Sequence, residues 1–119
     1  MGLVGTTIMR MNKVYELTTN GVNAAIRDYI MNNWQQLSFR GIDKEKILEI
    51  ESVELNIQTE FTQKGNYPFR GSARPQVSSD EGGHSTQNWS FSGDAQIGIN
   101  SKGQIVVEGM KDTISFSKK

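Results

Sequence analysis

The chain has no cysteine, only two prolines, a single histidine and no net formal charge. The missing cysteine excludes disulfides, thiolate nucleophiles and cysteine-ligated metals, and it fits a reducing, cytoplasmic setting. No nucleotide-binding glycine loop, no serine–histidine–aspartate spacing and no metal-ligand spacing occurs, so neither a cofactor nor a metal is expected. Thirteen basic and thirteen acidic residues cancel. The basic excess that marks a nucleic-acid partner or an anionic membrane surface is therefore missing. No apolar run approaches the roughly 20 residues a membrane helix requires, so the chain reads as soluble.

What remains is enough for one modest core. A chain of 119 residues suits one domain and buries about two-thirds of the surface its unfolded form exposes. Residues 1–11 read as a disordered leader, with Met9 and Met11 available as internal starts, ahead of a single α+β domain spanning 12–119. Val14 and Leu17 lie in a short β-prone stretch that ends in Thr18-Thr19-Asn20-Gly21, a cluster suited to capping a helix. Val22, Ala25, Ile26, Tyr29 and Ile30 then recur at steps of three and four, the apolar stripe of one long amphipathic helix. Asp43 is placed to cap a further helical turn over Lys44–Lys46.

Beyond Val53 the period changes to two. Val53, Leu55, Ile57, Thr59 and Phe61 share one side of a strand, and Lys64-Gly65-Asn66-Tyr67-Pro68 reads as the turn after it. Phe69, Gly71, Ala73 and Val77 make the inner face of the next strand. Trp89, Phe91, Gly93, Ala95, Ile97 and Ile99 make that of the third. A turn over Asn100–Gly103 leads into a fourth strand, whose phase switches near a bulge at Gly109. The expected fold is thus α+β: a short N-terminal strand, one long helix and a four-stranded antiparallel meander wrapping it. This order of elements resembles the cystatin-like roll over nearly the whole chain. The glutamine-led Q-x-V-x-G signature of the cystatin protease inhibitors has no match in Gln58-Thr59-Glu60-Phe61-Thr62 or Gln63-Lys64-Gly65, so the resemblance implies a fold and not protease inhibition.

Four sets of residues stand out. Asp80-Glu81-Gly82-Gly83-His84 holds the only histidine beside two acids, but the glycines and its place between two strands read as a hairpin tip. Asp112 shares the phase of Met110, Ile114 and Phe116. An acid on an apolar face must be paired or have its pKa raised, which makes Asp112 a candidate general base. Tyr29 or Tyr15 is the candidate hydroxyl partner, in an arrangement that resembles the steroid isomerases. Small residues at Gly71, Ala73, Gly93 and Ala95 leave either close packing or a ligand pocket near Trp34, Tyr29, Trp89 and Phe91. Finally, the outward set includes Arg70, Arg74, Glu60 and Asp94, a mixed-sign face suited to a homodimer or another protein partner. The leading expectation is a small non-enzymatic binding or self-association module. The alternative is a cone-shaped fold that binds a small apolar molecule, of isomerase or hydratase type.

Overall fold

The computed structural model describes residues 18–56 and 65–119. The leader over 1–11, the short strand with Tyr15, and the stretch 57–64 with Ile57, Glu60 and Phe61 lie outside the described residues. The chain is α+β, and among the described residues helix α1 (Thr19–Asn33) is followed by seven strands. These are β1 (Phe39–Arg40), β2 (Ile47–Leu55), β3 (Gly65–Ser78), β4 (His84–Thr86), β5 (Trp89–Ile99), β6 (Ile105–Met110) and β7 (Ile114–Lys118).

Helix α1 begins where its cap dictates. The Thr18 hydroxyl accepts a hydrogen bond from the Gly21 amide at 3.0 Å, satisfying one of the donors that a helix start leaves unpaired. Val22, Ala25, Ile26 and Ile30 are buried along one stripe, while Tyr29 lies half-buried at its margin. No helix among the described residues is long and apolar enough to cross a membrane.

The sheet is mixed and runs β1-β7-β5-β3-β2, with β4 beside β3 and β6 beside β5. It has seven strands where the alternation alone predicts a four-stranded antiparallel meander. β4 and β5 both pair antiparallel with β3, and β6 and β7 both pair antiparallel with β5. The fourth expected strand is therefore interrupted at 111–113, β4 adds a short strand in the connection expected between the second and third, and β1 adds a short parallel pair to β7. α1 packs on both β2 and β6, although β3 and β5 lie between them. The sheet accordingly curls around the helix.

Two further departures have local causes. β2 starts at Ile47, earlier than a period of two indicates, because register shifts between Ile47 and Glu49 and between Ile50 and Val53 carry Ile47, Ile50 and Val53 inward at steps of three. Of the turn expected at 64–68, residues 65–68 are strand instead: Tyr67 is buried opposite Ala95, and Pro68 faces Asp94. The glycine-led bulge does occur where the sequence places it. Gln96 pairs with Gly109 and Ile97 with Val107, leaving Glu108 as the extra residue.

On the inner face the central strands pair large against small. Phe69 faces Gly93, Gly71 faces Phe91, Tyr67 faces Ala95 and Ala73 faces Trp89. A Cβ built on Gly93 would lie 2.8 Å from the tip of the Phe69 ring, and one on Gly71 would lie 2.0 Å from the Glu54 carbonyl oxygen. The small residues therefore admit neighbours directly, as interiors at crystal-like density require. Beside them Phe91 and Trp89 meet Phe116 at ring-centroid distances of 5.7 and 6.4 Å. Phe39 reaches the other side of Phe116 at 4.7 Å.

The segment after α1 straps β1 into place. Lys44 Nζ donates to the carbonyls of Gln35 (3.1 Å) and Leu37, and lies 5.7 Å from the centre of the Phe39 ring. Asp43 caps the turn Lys44–Lys46 by accepting from the Glu45 amide at 3.1 Å. Gly41, at φ 91°, then passes so close to Phe116 that a Cβ would lie 2.1 Å from its carbonyl oxygen. Only glycine suits both the left-handed backbone and that approach.

Candidate functional site

The alternation that buries the inner set projects a second set outward, and cross-strand register arranges it in rows. Arg70 on β3 pairs with Ser92 on β5, Ser92 with Ser115 on β7, and Ser115 with Arg40 on β1. One row thus has a guanidinium at each end and two serines between, the arginines being three strand spacings apart, roughly 14 Å between Cα atoms. Two residues further along β5 lies Asp94, opposite Pro68, and the Lys111 amide donates to the Asp94 carbonyl at 2.8 Å. That bond sets the 111–113 connection, with Asp112, beside Asp94. An open cleft of about 540 Å³ lies over these rows, lined by Arg40, Asn56, Arg70, Ser92, Asp94, Asp112, Thr113 and Ser115 among others.

Local bonds hold the polar groups without exhausting them. Arg40 donates from Nε and Nη2 to the Ser115 hydroxyl at 3.3 and 3.0 Å. Asp94 Oδ1 accepts from Asn66 Nδ2 at 3.1 Å, and Asn66 Oδ1 in turn accepts from Gln96 at 3.3 Å. Asp112 Oδ1 accepts from the Thr113 amide at 2.7 Å. Among the described residues no ion pair engages Arg40, Arg70, Asp94 or Asp112; the pairs present are Arg27–Asp28 and Lys46–Asp80.

Several expected site residues fall elsewhere. Asp112 is exposed and does not point into the core, because the break at 111–113 resets the phase that an unbroken strand would carry through. Tyr29 sits on α1, which covers the inner face, so the expected pairing of Asp112 with Tyr29 is not assembled, and Tyr15 lies outside the described residues. Phe91 is buried among Phe69 and Phe116, and Trp89 and Trp34 are partly buried against the same core. Trp89 Nε1 donates to Gln87 at 2.9 Å. None of Trp34, Tyr29, Trp89 and Phe91 lines the outer cleft or a smaller one of about 370 Å³ between the start of α1 and the end of β2.

The histidine stretch is a hairpin tip. Gly82 and Gly83 have φ of 89° and 81°, the Gly82 amide donates to the Ser79 carbonyl at 3.1 Å, and His84 stands exposed opposite Ser78. Among the described residues no three His, Asp or Glu side chains gather as metal ligands. Lys46 Nζ reaches Asp80 at 3.0 Å and ties the tip to the start of β2, which raises the lysine pKa. Nearby, Glu51 accepts from the Thr86 hydroxyl at 2.6 Å and from Gln76 at 3.1 Å. Those two bonds, with a smaller contribution from the charge of Arg74, hold its carboxyl below the usual range. Arg74 is thereby placed at the hairpin end of the face, away from the cleft.

Of the expected interface residues the structure brings Arg70 and Asp94 together, and it adds Asp112, expected for a different role. Arg40 and Ser115 are the additions that sequence reasoning missed. A two-residue strand in a parallel pair has no period, and only the alternation of Phe39 and Arg40 before Gly41 hints at it. No protein-family model matches the sequence, and neither a curated protein nor a solved structure matches the chain.

Proposed function

We propose that the chain is a small, non-enzymatic binding module whose working surface is the polar outer face of the sheet. The observation that carries this reading is the cleft itself, where Arg40, Arg70, Asp94 and Asp112 surround a floor of serines. Drug-sized ligand pockets are mostly apolar and enclosed, whereas this one is open and polar, the character of a surface that meets another macromolecule. A cytoplasmic setting and a cystatin-like roll belong to the same reading. The cysteine-free composition and the helix lying in a curled, largely antiparallel sheet support them. The alternative, a small apolar molecule held between helix and sheet, has less support, because the large-to-small pairing fills the space among Phe69, Phe91 and Trp89.

Native mass spectrometry of the purified protein beside a variant carrying Arg40→Ala and Arg70→Ala tests the proposal. The expected result is an associated species, a second copy or a retained molecule, in the wild type and its loss in the variant. An associated species that persists unchanged in the variant, or a bare monomer in both, would contradict it.

A further inference from the structure

The outer face has a property that selects its occupant. Among the residues that line the cleft, the two arginines lie in one row and the two acids lie about two residues further along the strands, roughly 7 Å away. The row Arg70, Ser92, Ser115, Arg40 carries the positive charge, and Asp94 with the adjoining Asp112 carries the negative. The patch is neutral as a whole but polarised along the strand direction. A two-fold axis lying in the face, running across the strands between the rows, lays the positive row of one copy over the negative row of another. The same operation lays the negative row over the positive.

Resting on the outer face being the working surface, we propose that this surface is self-complementary and that its occupant is a second copy of the chain, docked face to face. Arg70 of each copy meets Asp94 of the other, and Arg40 meets Asp112. A two-fold interface requires that if one residue contacts another, the reverse contact also holds, and a face carrying both signs in separate rows meets that requirement. The groups are available for it. Arg70 makes no side-chain hydrogen bond among the described residues, and Asp94 and Asp112 engage only Oδ1 in the local bonds named above. Ser92 and Ser115 project little between the two arginines of the row, so two such faces can approach closely. Size is adequate as well. A stable interface covers roughly 800 Å² on each partner, a patch about 28 Å across, and the chain presents a slab of 52 × 36 × 19 Å.

Charge reversal with mixing tests the pairing. Sedimentation velocity is run over a concentration series on the wild type, Arg70→Glu, Asp94→Arg, the double variant and an equimolar mixture of the two single variants. The wild type is expected to dimerise, more weakly as salt rises. Each single reversal is expected to raise the dissociation constant at least roughly tenfold, since it sets like charges against each other. The double variant is expected to dimerise again, because both of its cross-pairs regain opposite signs. So is the mixture, in which the two introduced side chains face each other and the native Arg70 of one copy faces the native Asp94 of the other. Both residues are exposed or half-exposed, so the variants are expected to fold, with far-UV circular dichroism as the check.

A wild type that stays monomeric at all concentrations overturns the self-pairing. If its native mass spectrum then shows a retained molecule that the Arg40→Ala, Arg70→Ala variant loses, the broader reading of the face stands. A wild-type dimer indifferent to every reversal overturns both. Single reversals that weaken the dimer with no rescue in the mixture overturn the two-fold pairing of Arg70 with Asp94.

Discussion

The two faces of β3 and β5 come from the same residues in alternation and obey opposite rules. Inward, Phe69, Gly71, Phe91 and Gly93 are matched by volume across the strands. Outward, Arg70, Ser92 and Asp94 are matched by charge and stay in contact with water. A volume match leaves no freedom, because a buried side chain has neighbours on every side. A charge pattern on an open face contributes little to folding, since exposed ion pairs are worth at most about 1 kcal/mol. The comparison teaches that stability and recognition are divided between alternate residues of the same strands. Changes on one face should therefore leave the other's property almost intact.

The sharpest way to break that division is from inside. Phe91→Ala removes a ring packed against Phe69 and Phe116 and is expected to cost about 3–5 kcal/mol, read from the urea midpoint. Gly71→Ala adds only a methyl group, yet that methyl meets the Glu54 carbonyl 2.0 Å away. It forces β2 away from β3 and is expected to cost about 1–3 kcal/mol. Indifference to either change would show that the inner face is loosely packed.

A pH series probes the same face more gently. The Tyr67 side chain is buried opposite Ala95, with its hydroxyl 3.5 Å from Asn23 Oδ1, and burial pushes its pKa above the ordinary value of 10.0. Phenolate is disfavoured in the folded chain only. The stabilising contribution is thus complete below the ordinary value and disappears as pH rises through it and through the raised folded value. Unfolding midpoints measured from about pH 8 to about pH 11 should fall less steeply in Tyr67→Phe than in the wild type. The smallest effect belongs to the outer face. Arg70→Glu is expected to move the unfolding free energy by no more than about 0.5 kcal/mol, while weakening association at least roughly tenfold.

Much of the inner face was legible in the sequence, because burial leaves a period. The α1 stripe from Val22 to Ile30, the Thr18 cap, the alternation from Trp89 to Ile99 and the Gly82-Gly83 hairpin tip all follow from local rules that the structure obeys. The failures share a cause in events that reset a period. Register shifts hid the start of β2 at Ile47, and the break at 111–113 turned Asp112 from an inward acid into a wall of the outer cleft. Pro68 suggested a turn, but its neighbour Tyr67 fits over Ala95 and continues the strand. The cleft was only half legible. Arg70 and Asp94 show as outward residues, whereas Arg40 joins them through a parallel pair between segments 75 residues apart. No local pattern encodes such a pairing.

The most direct test of the divided sheet is the set of arginine side-chain Nε–Hε signals in a nitrogen–proton correlation spectrum recorded over a protein concentration series. With few arginines in the chain, the signals can be followed one by one. Those of Arg40 and Arg70 are expected to shift progressively as association proceeds, while that of Arg27, paired with Asp28 on α1, stays in place. Movement of Arg27 with Arg40 and Arg70 unchanged would place recognition on the helix side and overturn the division between the two faces.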